Sequence, residues 1–252
     1  MSDNWNFYID ELDENLASFV VDLDVTEEIN ISKYKWLFTV KLIVKSPTEL
    51  GFPDEREDEL MGELEYDLME KLNEEDIIQV GRLTTNGTRE FFYYAKKEKQ
   101  VKIIDQLALA IFDKSGYQTE ISNLEEEEPW SFYYEFLYPN EYHLQQMGNR
   151  DLVELLEQEN DDLEHPREIQ HWIEFQTLKD LNAFEQDIHK EGFKTVELEV
   201  EKNEEGTFNI TISREDSVDY DMIDAVTYLI IETAQKYNGE YDGWESPVVL
   251  KK

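Results

Sequence analysis

The chain has no cysteine. Disulfide cross-links, thiolate nucleophiles and cysteine-based zinc sites are therefore excluded. Histidine is almost as scarce. His143, His165, His171 and His189 are the only four in 252 residues, and none falls into H-x-x-x-H or H-E-x-x-H spacing. No G-x-S-x-G elbow and no glycine-rich phosphate loop occurs, so the familiar nucleophile and nucleotide motifs are missing. No stretch approaches the apolar length of a membrane span, and the first residues, "MSDNWNFYIDELDEN", lack the basic and apolar regions of a secretion signal. A cytoplasmic location is the expectation. Cations are also few: 23 lysines and arginines stand against 60 aspartates and glutamates, for a formal net charge of −37. The deficit is even, −19 over residues 1–140 and −18 over residues 141–252. Such a surface repels phosphate backbones, because nucleic-acid binding depends on cations that displace counterions. Direct DNA or RNA binding is not expected, whereas a basic protein partner is favoured by the field. The plainer reading of the same charge is that it keeps the chain in solution.

What the chain does have is enough apolar and aromatic residue to build cores: 40% hydrophobic and 13% aromatic, too much for a disordered chain. Residues 33–46 alternate as a strand, with Trp36, Phe38, Val40, Leu42 and Val44 on one face. Residues 53–72 place Leu60, Leu64, Leu68 and Leu72 at four-residue intervals, behind a proline and acids that suit a helix start. Residues 76–97 read as strand, Asn-Gly turn and strand. Residues 99–117 are helical, with Val101, Ile104, Ala108 and Ile111 facing inward. "YQTEISNL" and "PWSFYYEFLYP" (129–139) are expected as strands flanking the acidic run Glu125 to Glu128. A boundary falls at Pro139 and Asn140.

Beyond it, residues 149–160 form a polar helix. A strand then covers 167–176. The next helix, 177–192, is capped by Thr177 and closed by Gly192. A hairpin with an acidic turn fills 193–215, a helix fills 219–239, and a last strand contains "EYDGWESPVV". This order, helix then β-α-β-β-α-β, is the ferredoxin-like split β-α-β pattern. The first part has the same rhythm of strand, helix, hairpin, helix, strand. The expected fold class is α+β: two tandem ferredoxin-like α/β sandwiches, each an antiparallel sheet with two helices on one face, the second with an extra N-terminal helix.

No residue declares itself catalytic. His165 and His171 flank Pro166 and could meet at a metal, but surface or strand-edge histidines are the commoner case. "NEEDI", "EEEEP" and "NDDLE" could hold a divalent cation weakly; none has calcium-loop spacing, and solvated faces explain them as well. The aromatic strings at 90–97 and 130–138 put rings on both faces of their strands. Phe91 and Tyr93 oppose Phe92 and Tyr94, which suggests either a partly exposed binding face or tyrosines lying flat over a one-sided core.

Three pieces of the second part carry a resemblance: "LKDLNAFEQDIHKEGFKTVELEV" (178–200), "DMIDAVTYLIIETAQKYNGEYDGW" (221–244) and the turn "YDGWE" (241–245). Residues 141–252 resemble the regulator of ribonuclease E activity B family. The resemblance implies a ferredoxin-like fold with an additional helix, matched here by residues 149–160, and a non-enzymatic protein that binds ribonuclease E and inhibits RNA cleavage. Through "VGRLTTNGTREFFYY" (80–94) and "PWSFYYEFLYP", residues 1–140 resemble domain of unknown function 695, which implies no activity. One departure is that the single-domain regulator carries a long acidic tail, whereas here the acidity lies in the body of the chain. The expectation is a binding protein without cofactor, metal or membrane contact, whose partner is ribonuclease E or another basic protein. Tyr241, Asp242, Trp244 and Glu245 are the candidate contact residues. Two other classes compete: an immunity- or antitoxin-type protein that neutralises a basic toxin, and an enzyme working through carboxylates and a divalent ion.

Overall fold

The structure is a computed structural model that describes every residue except Met1, Asp3, Glu125, Glu127, Glu204, Glu205 and Lys252. Half of the acidic run at 125–128, and the two glutamates of the acidic hairpin turn, thus lie outside the described residues. The chain divides into two units, Met1–Pro139 and Asn140–Lys252, and each builds its own antiparallel sheet.

The first unit runs β1 (Trp5–Leu12), β2 (Asn15–Asp22), α1 (Val25–Glu28), β3 (Trp36–Ile43), α2 (Glu55–Glu74), β4 (Ile77–Thr85), β5 (Thr88–Ala95), α3 (Val101–Phe112) and β6 (Thr119–Leu124). The sheet order is β1-β2-β4-β5-β3-β6. The β4–β5 hairpin turns at Asn86 and Gly87, both at positive φ, as a two-residue primed turn requires. Asp54 caps α2 by accepting the Glu57 N–H at 2.8 Å, which satisfies one donor that the helix itself leaves free. The buried stripe of α2 is Met61, Leu68 and Leu72, with Leu64 packed beside it. Leu60 is exposed instead. The reason is helical pitch: a four-residue step overshoots one turn by about 40°, so an unbroken leucine ladder drifts around the helix. Ile104, Ala108 and Phe112 of α3 complete this core against Phe38, Val40, Leu42, Phe91 and Tyr93.

The opposite face of the same strands is covered as well. The strand expected at 129–139 is not formed; residues 131–137 are helical, with Tyr133–Leu137 in wide π geometry and the Tyr138 N–H donating to the Tyr133 carbonyl at 2.7 Å. A continuous aromatic run has no period of its own, so partners decide its conformation. Here they are specific. Trp130 stacks on Tyr94 with centroids 3.9 Å apart and donates its indole N–H to the Tyr34 carbonyl at 2.8 Å. Phe132 lies 4.8 Å from Phe92. The Tyr133 hydroxyl donates to the Asp22 carbonyl at 2.7 Å. Trp130, Tyr133 and Leu137 are fully buried, a contribution of roughly 1.5–3 kcal/mol for each large apolar side chain. Phe91 to Tyr94 are thus core on both faces of β5, whereas Tyr134 and Tyr138 of the second string are exposed.

The second unit runs α4 (Glu141–Gln158), β7 (Arg167–Phe175), α5 (Leu178–Ile188), β8 (Lys194–Leu198), β9 (Phe208–Asp216), α6 (Tyr220–Gln235) and β10 (Gly239–Glu245). Its sheet order is β10-β7-β9-β8. Helix α4 begins eight residues earlier than the sequence pattern suggests, because Asn140 caps it by accepting the His143 N–H. Thr177 caps α5, Asp219 caps α6, and Gly192 closes the turn after α5 at φ +89. Leu181, Phe184 and Ile188 of α5 and Val226, Ile230 and Ala234 of α6 pack on Ile173, Phe175, Ile210 and Ile212. Val153 of α4 joins Ile169, Val218, Ile223 and Trp244. The four strands β3 to β6 take the relative order β4-β5-β3-β6, and β7 to β10 take the matching order β8-β9-β7-β10. In both units a helix therefore carries the chain past an intervening strand. No helix of the described residues is long and apolar enough to cross a membrane.

Candidate functional site

Strand β10, "GEYDGWE", holds all four candidate contact residues, and a bulge decides where each one points. It pairs with β7 through Tyr241↔Ile173, Gly243↔Trp172 and Trp244↔His171, with a register shift between Tyr241 and Gly243. Asp242 is the extra residue. In a regular strand, positions 241 and 244 face opposite sides; the bulge puts both on the helix side. Gly243 sits at φ +137, and a Cβ there would meet nothing within 4 Å. Backbone conformation, not crowding, is what favours glycine.

Trp244 is buried at 7% exposure and donates its indole N–H to Asn149 Oδ1 on α4 at 2.8 Å. The Asn149 amide in turn donates to Thr227 Oγ1 and Asp224 Oδ1 on α6, each at 2.8 Å. One tryptophan thus ties the last strand to two helices through a satisfied polar network. Tyr241 lies against the other core cluster, its hydroxyl 2.8 Å from His171 Nδ1. Burial pushes the His171 imidazole down to about 3, and the charge of Arg214 acts in the same direction, so His171 is neutral at physiological pH. Burial also raises the Tyr241 hydroxyl, with Asp242 adding to the effect. Asp242 and Glu245 are exposed. The four candidates therefore split: two belong to the core and two to the surface.

The histidines and acid clusters go separate ways. His171 is buried, while His165 is exposed with Nδ1 at 2.8 Å from the Pro166 carbonyl. Within "NEEDI", Asp76 pairs with Lys96 at 2.9 Å. Within "NDDLE", Asp161 is fully buried; its Oδ2 accepts from Arg167 Nη1 at 2.6 Å and from the Val249 N–H at 2.7 Å. Burial by itself raises the Asp161 carboxyl, but Arg167 and the Val249 N–H outweigh it and hold it below its ordinary value. This is a latch for the residues after β10. No group of three or more potential metal ligands occurs among the described residues.

The side of the second sheet away from the helices was not singled out by sequence. Pairing places Glu168 opposite Glu215 and Trp172 opposite Thr211 on β7 and β9, and Glu174 opposite Glu240 on β7 and β10. Trp172 is partly exposed there and belongs to neither core cluster. A signal existed: in "REIQHWIEF" one tryptophan falls among the polar members of the alternation.

Residues 3–138, more than half of the chain, match the family of unknown function DUF695. The chain belongs to that family. Beyond the DUF695 region, residues 146–246 match regulator of ribonuclease activity B. That second match takes in most of α4 and the whole of β7 to β10, and so includes Asn149, Trp172 and Trp244. No curated protein matches this DUF695 chain. Among solved structures, a protein provisionally assigned as a glycine cleavage system transcriptional repressor aligns at TM-score 0.25 and 8% identity, over 84% of this chain and 98% of its own. An unknown protein from Galdieria sulphuraria aligns at TM-score 0.23 and 12% identity, over 84% and 99%. At these scores neither bears on fold or activity.

Proposed function

We propose that the protein regulates a ribonuclease by binding it, and that it restrains RNA cleavage without catalysing a reaction itself. The observation that carries this reading is the match of residues 146–246 to regulator of ribonuclease activity B. The second unit supports it: the order β10-β7-β9-β8 with helices on one side suits a ferredoxin-like sandwich with α4 as the added helix, and the strand order of the first unit supports the same reading there. The net charge of −37 suits a basic protein partner and opposes direct contact with RNA. On this reading the protein works in the cytoplasm, where RNA turnover takes place. Asp242 and Glu245 touch the partner, while Tyr241 and Trp244 hold the strand that presents them.

The test is an RNA cleavage assay. The purified chain is titrated into the endoribonuclease of its own host, ribonuclease E where the host has one. Cleavage is expected to slow in proportion to complex formed, measured in parallel by calorimetry. Unchanged cleavage with no heat of binding would reject the proposal.

A further inference from the structure

The helix-free face of the second sheet has an unusual charge pattern. Two pairs of glutamates are directly opposed across strands, Glu168 with Glu215 and Glu174 with Glu240. Like charges in directly opposed positions destabilise a sheet, and among the described residues none of the four forms an ion pair. Neutral donors hold two of them in place instead: Ser213 Oγ donates to Glu168 Oε1 at 2.8 Å, and Thr207 Oγ1 donates to Glu174 Oε2 at 3.2 Å. Between the two pairs, partly exposed, stands Trp172. Its cross-strand neighbour on β10 is Gly243, which has no side chain to cover the ring.

We infer that this face docks an arginine-rich segment of a protein partner, with a guanidinium over the Trp172 ring and neighbouring cations between the opposed glutamates. A guanidinium satisfies both features at once, because it stacks on an indole and forks onto carboxylates. The glutamate pairs lie roughly 20 Å apart along β7, at about 3.4 Å per residue, the reach of a short extended peptide. An anionic partner such as RNA or an acidic membrane would add to the repulsion already present. This inference gives the ribonuclease regulator reading a contact surface, and rests on it for the identity of the partner.

The experiment uses the full chain and fluorescein-labelled oligo-arginine and oligo-lysine peptides, followed by anisotropy. Trp172→Ala is expected to weaken oligo-arginine about fivefold or more and oligo-lysine less. A face variant, Glu174→Gln with Glu215→Gln and Glu240→Gln, should weaken both. A control that removes equal charge from the helix side of the same unit, Asp151→Asn with Glu154→Gln on α4 and Glu232→Gln on α6, all exposed, should change either by less than about twofold, since exposed charges across the sheet are screened. Circular dichroism checks that the variants fold, and the glutamine variant keeps the test open if Trp172→Ala does not. If both face variants bind the peptides as the control does, the inference fails. The ribonuclease assay separates the two proposals. Trp172-dependent peptide binding with unchanged RNA cleavage sinks the regulator reading and leaves the face standing. Slowed cleavage with face variants indistinguishable from the control does the reverse.

Discussion

Trp244 and Trp172 sit one register step apart on neighbouring strands, and the pleat turns their rings in opposite directions. Their substitution should separate fold from binding. Trp244→Ala empties a core position and removes the donor to Asn149, so urea denaturation should show a loss of about 3–5 kcal/mol in the second unit. Trp172→Ala should cost only about 1 kcal/mol. Equal losses would mean that the outward ring is structural after all. His171 makes a second residue-scale prediction. Its folded pKa is depressed to about 3, whereas an unfolded histidine titrates near 6.5. Below that value the unfolded chain takes up a proton that the folded chain refuses, so stability falls as pH drops. Between pH 6.5 and 5.5 the second unit should lose about 1 kcal/mol on this account. His171→Gln should remove that part of the slope; a wild-type slope in the variant would clear the imidazole of responsibility.

At the scale of elements, most of the ladder was legible because local chemistry marked it. Thr177, the Asn86-Gly87 pair and the alternation of β3 each name a conformation that few other residues would serve as well. The β1–β2 hairpin was not legible. Its turn places Asp13 and Glu14 at positive φ, where glycine or asparagine is the usual sign. The helical segment at 131–137 was hidden because its aromatic residues are good strand formers, and tertiary contacts, among them those with Tyr94 and Phe92, select the other conformation. The split among the candidate residues was hidden too, since a bulge changes facing without changing composition. The outward pattern of β7 was readable but carried no motif. The opposed glutamates yield a prediction at this scale: Glu240→Gln, on the exposed edge strand, should raise stability by about 0.2–1 kcal/mol in urea, the range for cross-strand pairs. A variant less stable than wild type would show that the pair is not strained by repulsion.

For the whole molecule, two separate cores and an even spread of negative charge are the governing facts. The buried cluster of the first unit shares no residue with those of the second, so unfolding need not be a single all-or-none step. Calorimetric melting of Trp244→Ala should displace one transition and leave the other in place; a single transition that moves as a unit would show the two cores to be coupled. The charge acts on rate more than on affinity. Association with a cationic partner should slow as salt rises, with the dissociation rate nearly unchanged, as stopped-flow mixing at several ionic strengths would show.

The bulge in β10 has one more consequence, and it concerns chain length. Asp242 and Gly243 together oppose the single residue Trp172. Loss of either leaves one residue between Tyr241 and Trp244, the spacing of a regular strand with both rings still facing the helices. Loss of Glu240, outside the bulge, would turn Tyr241 or Gly239 over to the wrong side. The strand is thus tolerant of a deletion at one spot and intolerant of it one or two residues away. A deletion of Asp242 would subtract a carboxylate from the surface while the indole keeps its place on Asn149, so the register of the core gives no reason for the extra residue to be there.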